Sequence, residues 1–154
     1  VQLSGKKIRG CLSCYKCFAN QDKRCSVDDD LNPCLEKMME ADGIILGSPT
    51  YVASVSSEIK ALIDRACLVS TANGALFRRK VGASVVAVRR AGSVSAFDTL
   101  NHFFLYSQMI VPGSSYWNMG IGLNPGDVEK DEEGINIMKN LGRNMAWLLK
   151  KINA

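Results

Sequence analysis

Cys11, Cys14, Cys17 and Cys25 fall within "GCLSCYKCFANQDKRC", residues 10–25, and make up four of the chain's six cysteines. Their spacing is C-x2-C-x2-C-x7-C. Two-residue gaps let neighbouring thiolates fold around one centre, and the longer link lets the fourth return to close it. Zinc sites more usually come as two separated C-x2-C pairs joined by a long spacer. Three close cysteines and a fourth are nearer to the run that ligates a cubane [4Fe–4S] cluster. Zinc, or reduced and empty thiols, stay open beside the cluster. Lys16, Lys23 and Arg24 lie among the ligand candidates, where their charge would offset that of a thiolate site. A plain solvated loop explains them about as well. Cys34 and Cys67 fall on helical stretches and read as small buried hydrophobes.

The rest of the chain bounds what such a site can serve. The 154 residues read as a single domain, 1–154, with the cysteine-rich loop at 10–26. Hydrophobic residues at 47% and charged residues at 22% are those of a globular protein. No apolar run approaches the ~20 residues of a membrane span, and no signal peptide opens the sequence. A cytoplasmic protein with reduced thiols is therefore expected, with no membrane partner. The net charge of +4 is spread over separate segments, without a basic stripe interleaved with aromatics, so no nucleic-acid partner is expected.

The elements that must position the thiols alternate. "VQLSGKKI" reads as a strand or its remnant, and "NPCLEKMMEAD" as a short helix capped by Asn32 with Pro33 in its first turn. "GIILGS" (43–48) and "VGASVVAV" (81–88) read as strands, the first buried on both faces. Between them Ile59, Leu62, Ile63, Ala66 and Cys67 form one helical stripe. "SVSAFDTLNHFFLYSQ" reads as a helix and "MIVPGS" as a third strand. The closing helix would turn Ile135, Met138, Leu141, Met145, Leu148, Leu149 and Ile152 to the core.

Strand, loop and helix in repetition predict an α/β fold with a parallel sheet covered on both sides. Chemistry then belongs beyond the carboxyl ends of the strands. "SPTYVAS" and "RRAGS" lie there, and the cysteine loop is expected to reach the same rim. Around Ser48 and Thr50 small side chains let backbone N–H groups approach a planar ligand, Pro49 stiffens the turn and Tyr51 offers an aromatic face. A strand-to-helix turn with no ligand fits these residues equally.

"GSPTYVASVSSEIKALIDR" resembles the isoalloxazine-binding segment of the NADPH-dependent FMN reductase and iron–sulfur flavoprotein families, which have the flavodoxin-like three-layer fold. "VGASVVAVRRAGS" and the tail from "NPGDVEKDEEG" are similar too, and the likeness runs from about residue 8 to the end. The resemblance implies FMN, with Ser48, Pro49, Thr50, Tyr51 and Val52 against the flavin ring and Arg89, Arg90, Ala91 and Gly92 as the second wall. It also implies a [4Fe–4S] cluster on Cys11, Cys14, Cys17 and Cys25, since the cysteine run resembles the compact motif of the iron–sulfur flavoproteins. Electrons would come from NAD(P)H or a ferredoxin-like carrier. A homo-oligomer, dimer or tetramer, would set the flavin of one subunit against the cluster of another.

The sequence departs from the family pattern at the start. The first strand and its Ser/Gly-rich phosphate loop would need at least ~30 residues ahead of Val1. A sheet lacking that usual first strand is expected, with a gap between the opening segment and 43–48. No catalytic side chain is expected: His102 sits mid-helix, and no Ser/His or His/Asp arrangement is present. Tyr116 and Trp117 are assigned either to the flavin pocket or to a subunit contact. The reading is an FMN- and cluster-containing oxidoreductase. Its alternatives are a cluster-free NAD(P)H-dependent FMN or quinone reductase and a zinc-stapled binding module that is not an enzyme.

Overall fold

Two β-branched runs separated by an apolar-striped helix set the frame. A computed structural model of the chain describes residues 1–153. The strands are β1 (Gly43–Pro49), β2 (Val81–Val88) and β3 (Met119–Ile121), all parallel, in the order β1-β2-β3. The helices are α1 (Lys16–Asn20), α2 (Leu31–Glu40), α3 (Ser57–Ala72), α4 (Ser93–Tyr106) and α5 (Glu132–Ile152). A 3-10 turn at Asp127–Lys130 precedes α5. No helix among the described residues is long and apolar enough to cross a membrane.

Side chains alternate across β2, so each helix layer is legible from its contacts. Val81 and Ala83 pack with Leu141 and Met145 of α5. Gly82 points the other way, under the ring of Phe104 on α4. Ile44, Leu46 and Val86 join Ile59, Leu62, Leu100 and Phe104 in the larger core on that side. The expected parallel α/β architecture is therefore present, with helices on both faces. At the foot of the sheet Lys80 Nζ donates to the Met39 carbonyl at 2.8 Å, satisfying the carboxyl end of α2.

Several expectations need correction. The opening segment is no strand: residues 1–15 have no regular structure, and side chains supply their backbone partners. Lys7 N donates to Asp30 Oδ2 at 2.7 Å and Arg9 N to Asp29 Oδ2 at 3.1 Å. β1 is buried on one face only, because Ile44, Leu46 and Ser48 point into the core while Ile45 is 55% exposed. No strand among the described residues pairs with its outer edge, in keeping with the expected gap in the sheet. A groove of about 590 Å³ runs along that edge between α2 and α3, lined by Leu3, Met38, Ile59 and Leu62.

"MIVPGS" pairs with β2 through Ile110 alone, and the third strand lies ten residues further on. Gly82 N donates to Ile110 O and Ile110 N to Lys80 O, both at 2.9 Å. Pro112 then offers no N–H to continue the ladder. The chain rejoins β2 where Val86 N donates to Asn118 O. Asn32 is not the cap of α2 but a buried residue inside it, Asp30 holding the cap position. On α5, Leu141 and Met145 are buried as the stripe requires, Ile135, Met138, Leu148 and Leu149 are half-buried, and Ile152 is 43% exposed, while Ile137, outside the expected stripe, is buried.

Two local features yield tests. A Cβ at Gly82 would overlap the Phe104 ring, lying 2.8 Å from its Cγ, and Phe104 has no exposed side on which to yield. Gly82→Ala should destabilise the fold by about 1–3 kcal/mol in urea titration. Asp131 caps α5, accepting from Gly134 N at 2.9 Å and from Ile121 N at 2.8 Å. The Gly134 and Ile121 amides hold its carboxyl below the ordinary carboxylate value. Its stabilisation is therefore full above the unfolded pKa of about 3.9 and is lost as pH falls through the lower folded value. Asp131→Ala should cost about 1 kcal/mol at neutral pH, with the difference from the parent shrinking below roughly pH 3.

Candidate functional site

The rim at the carboxyl ends of β1 and β2 is built from two short loops that touch. Thr50 N donates to Ala87 O at 2.8 Å, carrying the ladder one residue past β1. Tyr51 and Ser54 then exchange both N–H···O bonds at 2.9 Å across a two-residue turn. Its central residues, Val52 at φ +49° and Ala53 at φ +56°, are both left-handed. That is the geometry of a primed turn, which glycine or asparagine usually occupies. Left-handed backbone at non-glycine residues costs roughly 1–2 kcal/mol each, and such strain collects at ligand sites. Val52 is fully exposed at the tip of the turn.

Ser48 braces the turn from below: its buried Oγ donates to Pro49 O at 2.8 Å and accepts from Ser56 N at 3.0 Å. Thr50 Oγ1 differs. It is buried and has no hydrogen-bond partner. The second loop reaches across at Gly92, φ +85°, where an added Cβ would sit 2.9 Å from Ala53 Cα. Only glycine allows both that φ and that approach. Arg89, Arg90 and Ala91 beside it are exposed, and neither guanidinium pairs with a carboxylate among the described residues. All nine rim residues singled out in the sequence thus come to one place.

The cysteine loop is braced by buried polar groups. Ser13, Tyr15, Gln21 and Lys23, all left-handed, coil it around α1. All four thiols are free, Cys11 and Cys14 exposed, Cys17 and Cys25 half-buried against the core. The Lys16 amide and the Ser26 hydroxyl pull the Cys14 thiol below its ordinary pKa. Burial pushes the Cys17 thiol up, and Cys25 and Cys14 push the same way. Among the described residues no three ligand-type side chains close on one point.

Cys25 is the most firmly held. Asn32 accepts from Cys25 N and donates to Cys25 O, each at 2.9 Å. Arg65 Nε donates to Cys25 Sγ at 3.3 Å. Arg65 is 1% exposed and forks onto Asp29, Nη1 to Oδ2 at 2.6 Å and Nη2 to Oδ1 at 3.0 Å. Burial works to raise the Asp29 carboxyl, yet the bonds from Arg65 and from the Arg9 and Leu31 amides outweigh it and hold it below the usual value.

The cysteine loop is expected at this same rim, and its fastenings to α3 lie further down that helix. The helix α3 leaves the rim at Ser57, and the loop is tied to it at Arg65 and, through Lys23 N on Asn73 Oδ1 at 3.0 Å, just past its far end. At 1.5 Å per residue, Arg65 is about 12 Å down the helix from its start. Tyr116 and Trp117 lead into β3 instead of leaving the rim, and the Trp117 ring packs at a tilt against both Phe97 and Tyr116, with centroids 6.0 Å apart in each pair.

Residues 1–124 match the family described as NADPH-dependent FMN reductase. The chain belongs to that family. It is 36% identical to an iron–sulfur flavoprotein of Methanocaldococcus jannaschii over 99% of its length and 80% of the relative's. It is 33% identical to one of Methanosarcina thermophila, over 99% of its length and 78% of the relative's. Among solved structures it is similar to RosB with a bound riboflavin-phosphate intermediate (TM-score 0.67, 19% identity, covering 83% of this chain and 55% of that one). It is also similar to the Trp repressor binding protein of Bacillus subtilis (TM-score 0.57, 18% identity, 77% and 70%). The structural likenesses confirm the flavodoxin-like fold.

As a member, the protein is an FMN-dependent oxidoreductase. The rim fits the flavin on its own geometry: a buried, unpartnered hydroxyl, a glycine that admits close approach, and two unpaired guanidiniums beside it. What the motifs did not disclose is the support under the cysteine loop. Arg65 beside the apolar stripe of α3, and the run Asp28–Asp30, were the available signals.

Thr50 offers a sharp test of the fit. Thr50→Val replaces a hydroxyl that lacks a partner, so the flavin-free protein should be as stable as the parent or more so. FMN affinity should fall about five- to ten-fold, as loss of one hydrogen bond of ~1 kcal/mol implies. Fluorescence titration with FMN and thermal melts of the flavin-free form measure the two effects separately.

Proposed function

We propose that the protein passes electrons between FMN at the rim and a [4Fe–4S] cluster held by Cys11, Cys14, Cys17 and Cys25. The observation that carries this is the set of four free thiols on one loop whose fourth member is clamped at backbone and sulfur by buried Asn32 and Arg65. Solvated, idle thiols need no such support. The iron–sulfur flavoprotein names of the relatives point the same way. FMN exchanges electrons as a pair or singly and a [4Fe–4S] centre one at a time, so together they would convert between the two.

The chain's own residues have the tasks of binding and orientation. Ser48 and the Tyr51–Ser54 turn fix the first ring wall, with Pro49, Thr50, Tyr51 and Val52 presented on it. Gly92 lets the second wall close, with Ala91 beside it and Arg89 and Arg90 carrying positive charge to the reduced ring. NAD(P)H or a ferredoxin-like carrier supplies the electrons from solution in the cytoplasm. Because the loop is fastened to α3 down the helix from the rim, the reading takes the protein as a homo-oligomer in which one subunit's loop meets another's rim.

The thiols do not close on a common point, which favours a second reading: a cluster-free NAD(P)H-dependent FMN or quinone reductase. Family membership speaks against a non-enzymatic zinc module. Protein isolated without oxygen should be brown and carry about four iron and four sulfide atoms per chain. Cys17→Ser should lose the iron and stay yellow. A yellow, iron-free parent would instead establish the second reading.

A further inference from the structure

The ties that hold the cysteine loop differ in depth. Near the middle of α3 they rest on a buried side chain, as Arg65 donates to Arg9 O at 3.0 Å, to Val27 O at 3.4 Å and to both oxygens of Asp29. At the carboxyl end of α3 the tie is shallower. Lys23 N donates to Asn73 Oδ1 at 3.0 Å and Asn73 Nδ2 donates to Val69 O at 2.9 Å, so one half-buried amide joins the loop to the last turn of the helix. Gly74 follows, exposed and at φ +81°, and its N–H has no partner among the described residues.

We propose that Asn73 is a site of spontaneous covalent modification that undoes this tie. The Gly74 nitrogen bonds to Asn73 Cγ, the Cγ–Nδ2 bond breaks, and Nδ2 leaves as ammonia with the Gly74 amide proton. Water then opens the cyclic imide on either side of its nitrogen, leaving aspartate or isoaspartate. No electrons move, and water is the only co-reactant. Glycine admits the step, because a side chain at 74 would hinder the approach to Cγ and the attacking N–H has no hydrogen bond to give up. The tie itself is the brake: Lys23 and Val69 hold the two ends of the amide, and the ring closes only when both let go in a local opening.

The product cannot restore the tie. A carboxylate has no N–H for Val69 O, and its charge faces the negative end of the α3 dipole. Isoaspartate also lengthens the main chain just where Ala75 N donates to Ser70 O at 2.8 Å. The effect stays with the loop, since the rim lies at the other end of α3. None of this depends on whether the thiols carry a metal.

The test ages the full chain with FMN in 18O-water at mildly alkaline pH, beside a sample unfolded in guanidinium. Trypsin cuts after Arg65 and Arg78, so Asn73 is read in the peptide 66–78. Label should enter at Asn73 in both samples, about thirty-fold more slowly in the folded one, as two ordinary hydrogen bonds imply. In the converted fraction the Lys23 amide should exchange its hydrogen about ten-fold faster, as loss of one such bond implies, while the Thr50 amide on the rim keeps its rate. Asn73→Gln should take up no label, because its ring is larger and closes far more slowly. A folded sample without label once the unfolded one has converted overturns the proposal. Equal uptake in the two samples, or a Lys23 amide that exchanges alike in converted and unconverted chains, overturns it as well. If Asn73→Gln does not fold, fragment ions that locate the label in the parent decide.

Discussion

The Arg65–Asp29 ion pair is the constraint on which the cysteine half of the molecule depends. Removing two charges from water costs several kcal/mol per ion, recovered only where geometry and further hydrogen bonds are good. Here they are. The carboxylate receives the fork and two backbone amides, and the guanidinium finds an acceptor for every nitrogen. The net shift keeps Asp29 charged despite burial, and Arg65 likewise, though burial opposes it. A buried pair of this kind is weak evidence for stability, but it imposes one arrangement: a loop with little apolar content cannot choose its own register. Arg9, Val27, Asp29 and Cys25 are fixed relative to α3 because any other placement leaves a buried charge unpaired.

The rim obeys a different logic. Its walls are the continuations of two adjacent parallel strands, so the sheet register sets their spacing. Pro49 stands beside Ala87, and Thr50 N still bonds to Ala87 O. The Ala53–Gly92 contact then joins the two loops. The Val52–Ala53 turn is locally unfavourable and held by the Tyr51–Ser54 pair and the Ser48 brace. A stiff frame presenting backbone groups and an idle hydroxyl suits a flat ring better than it suits a flexible substrate.

What could be read in the sequence and what could not divide along physical lines. The helix α3 and strand β2 were legible because periodicity alone specifies them: Ile59, Leu62, Ile63 and Ala66 repeat as a helix requires, and "VGASVVAV" is bounded by a charged start and a turn. The rim was legible because small residues and glycine there answer to the backbone. The third strand was misplaced because "MIVPGS" has strand composition, while the missing N–H of Pro112 shifts the pairing to Met119–Ile121. The one-sided burial of β1 was not legible, since it depends on what covers Ile45. Arg65 escaped notice because its partners lie 36, 40 and 56 positions away in sequence, and no local pattern announces them.

The fastening of the loop along α3 has a consequence for assembly. α3 runs from the rim toward the foot of the sheet, and the loop is fastened near its middle and just past its far end. Cys11 and Cys14 are exposed, and Leu12, Tyr15 and Phe18 around them are exposed as well. Apolar side chains around a thiolate site lower the local dielectric only once something covers them. A second chain laid over this loop would bury Leu12, Tyr15 and Phe18, dry the sulfurs and bring another rim toward them in one association. Under the proposed reading, the buried ion pair therefore does more than hold Cys25. By pinning the loop to the flank of α3, it fixes where on the subunit surface such a partner must dock.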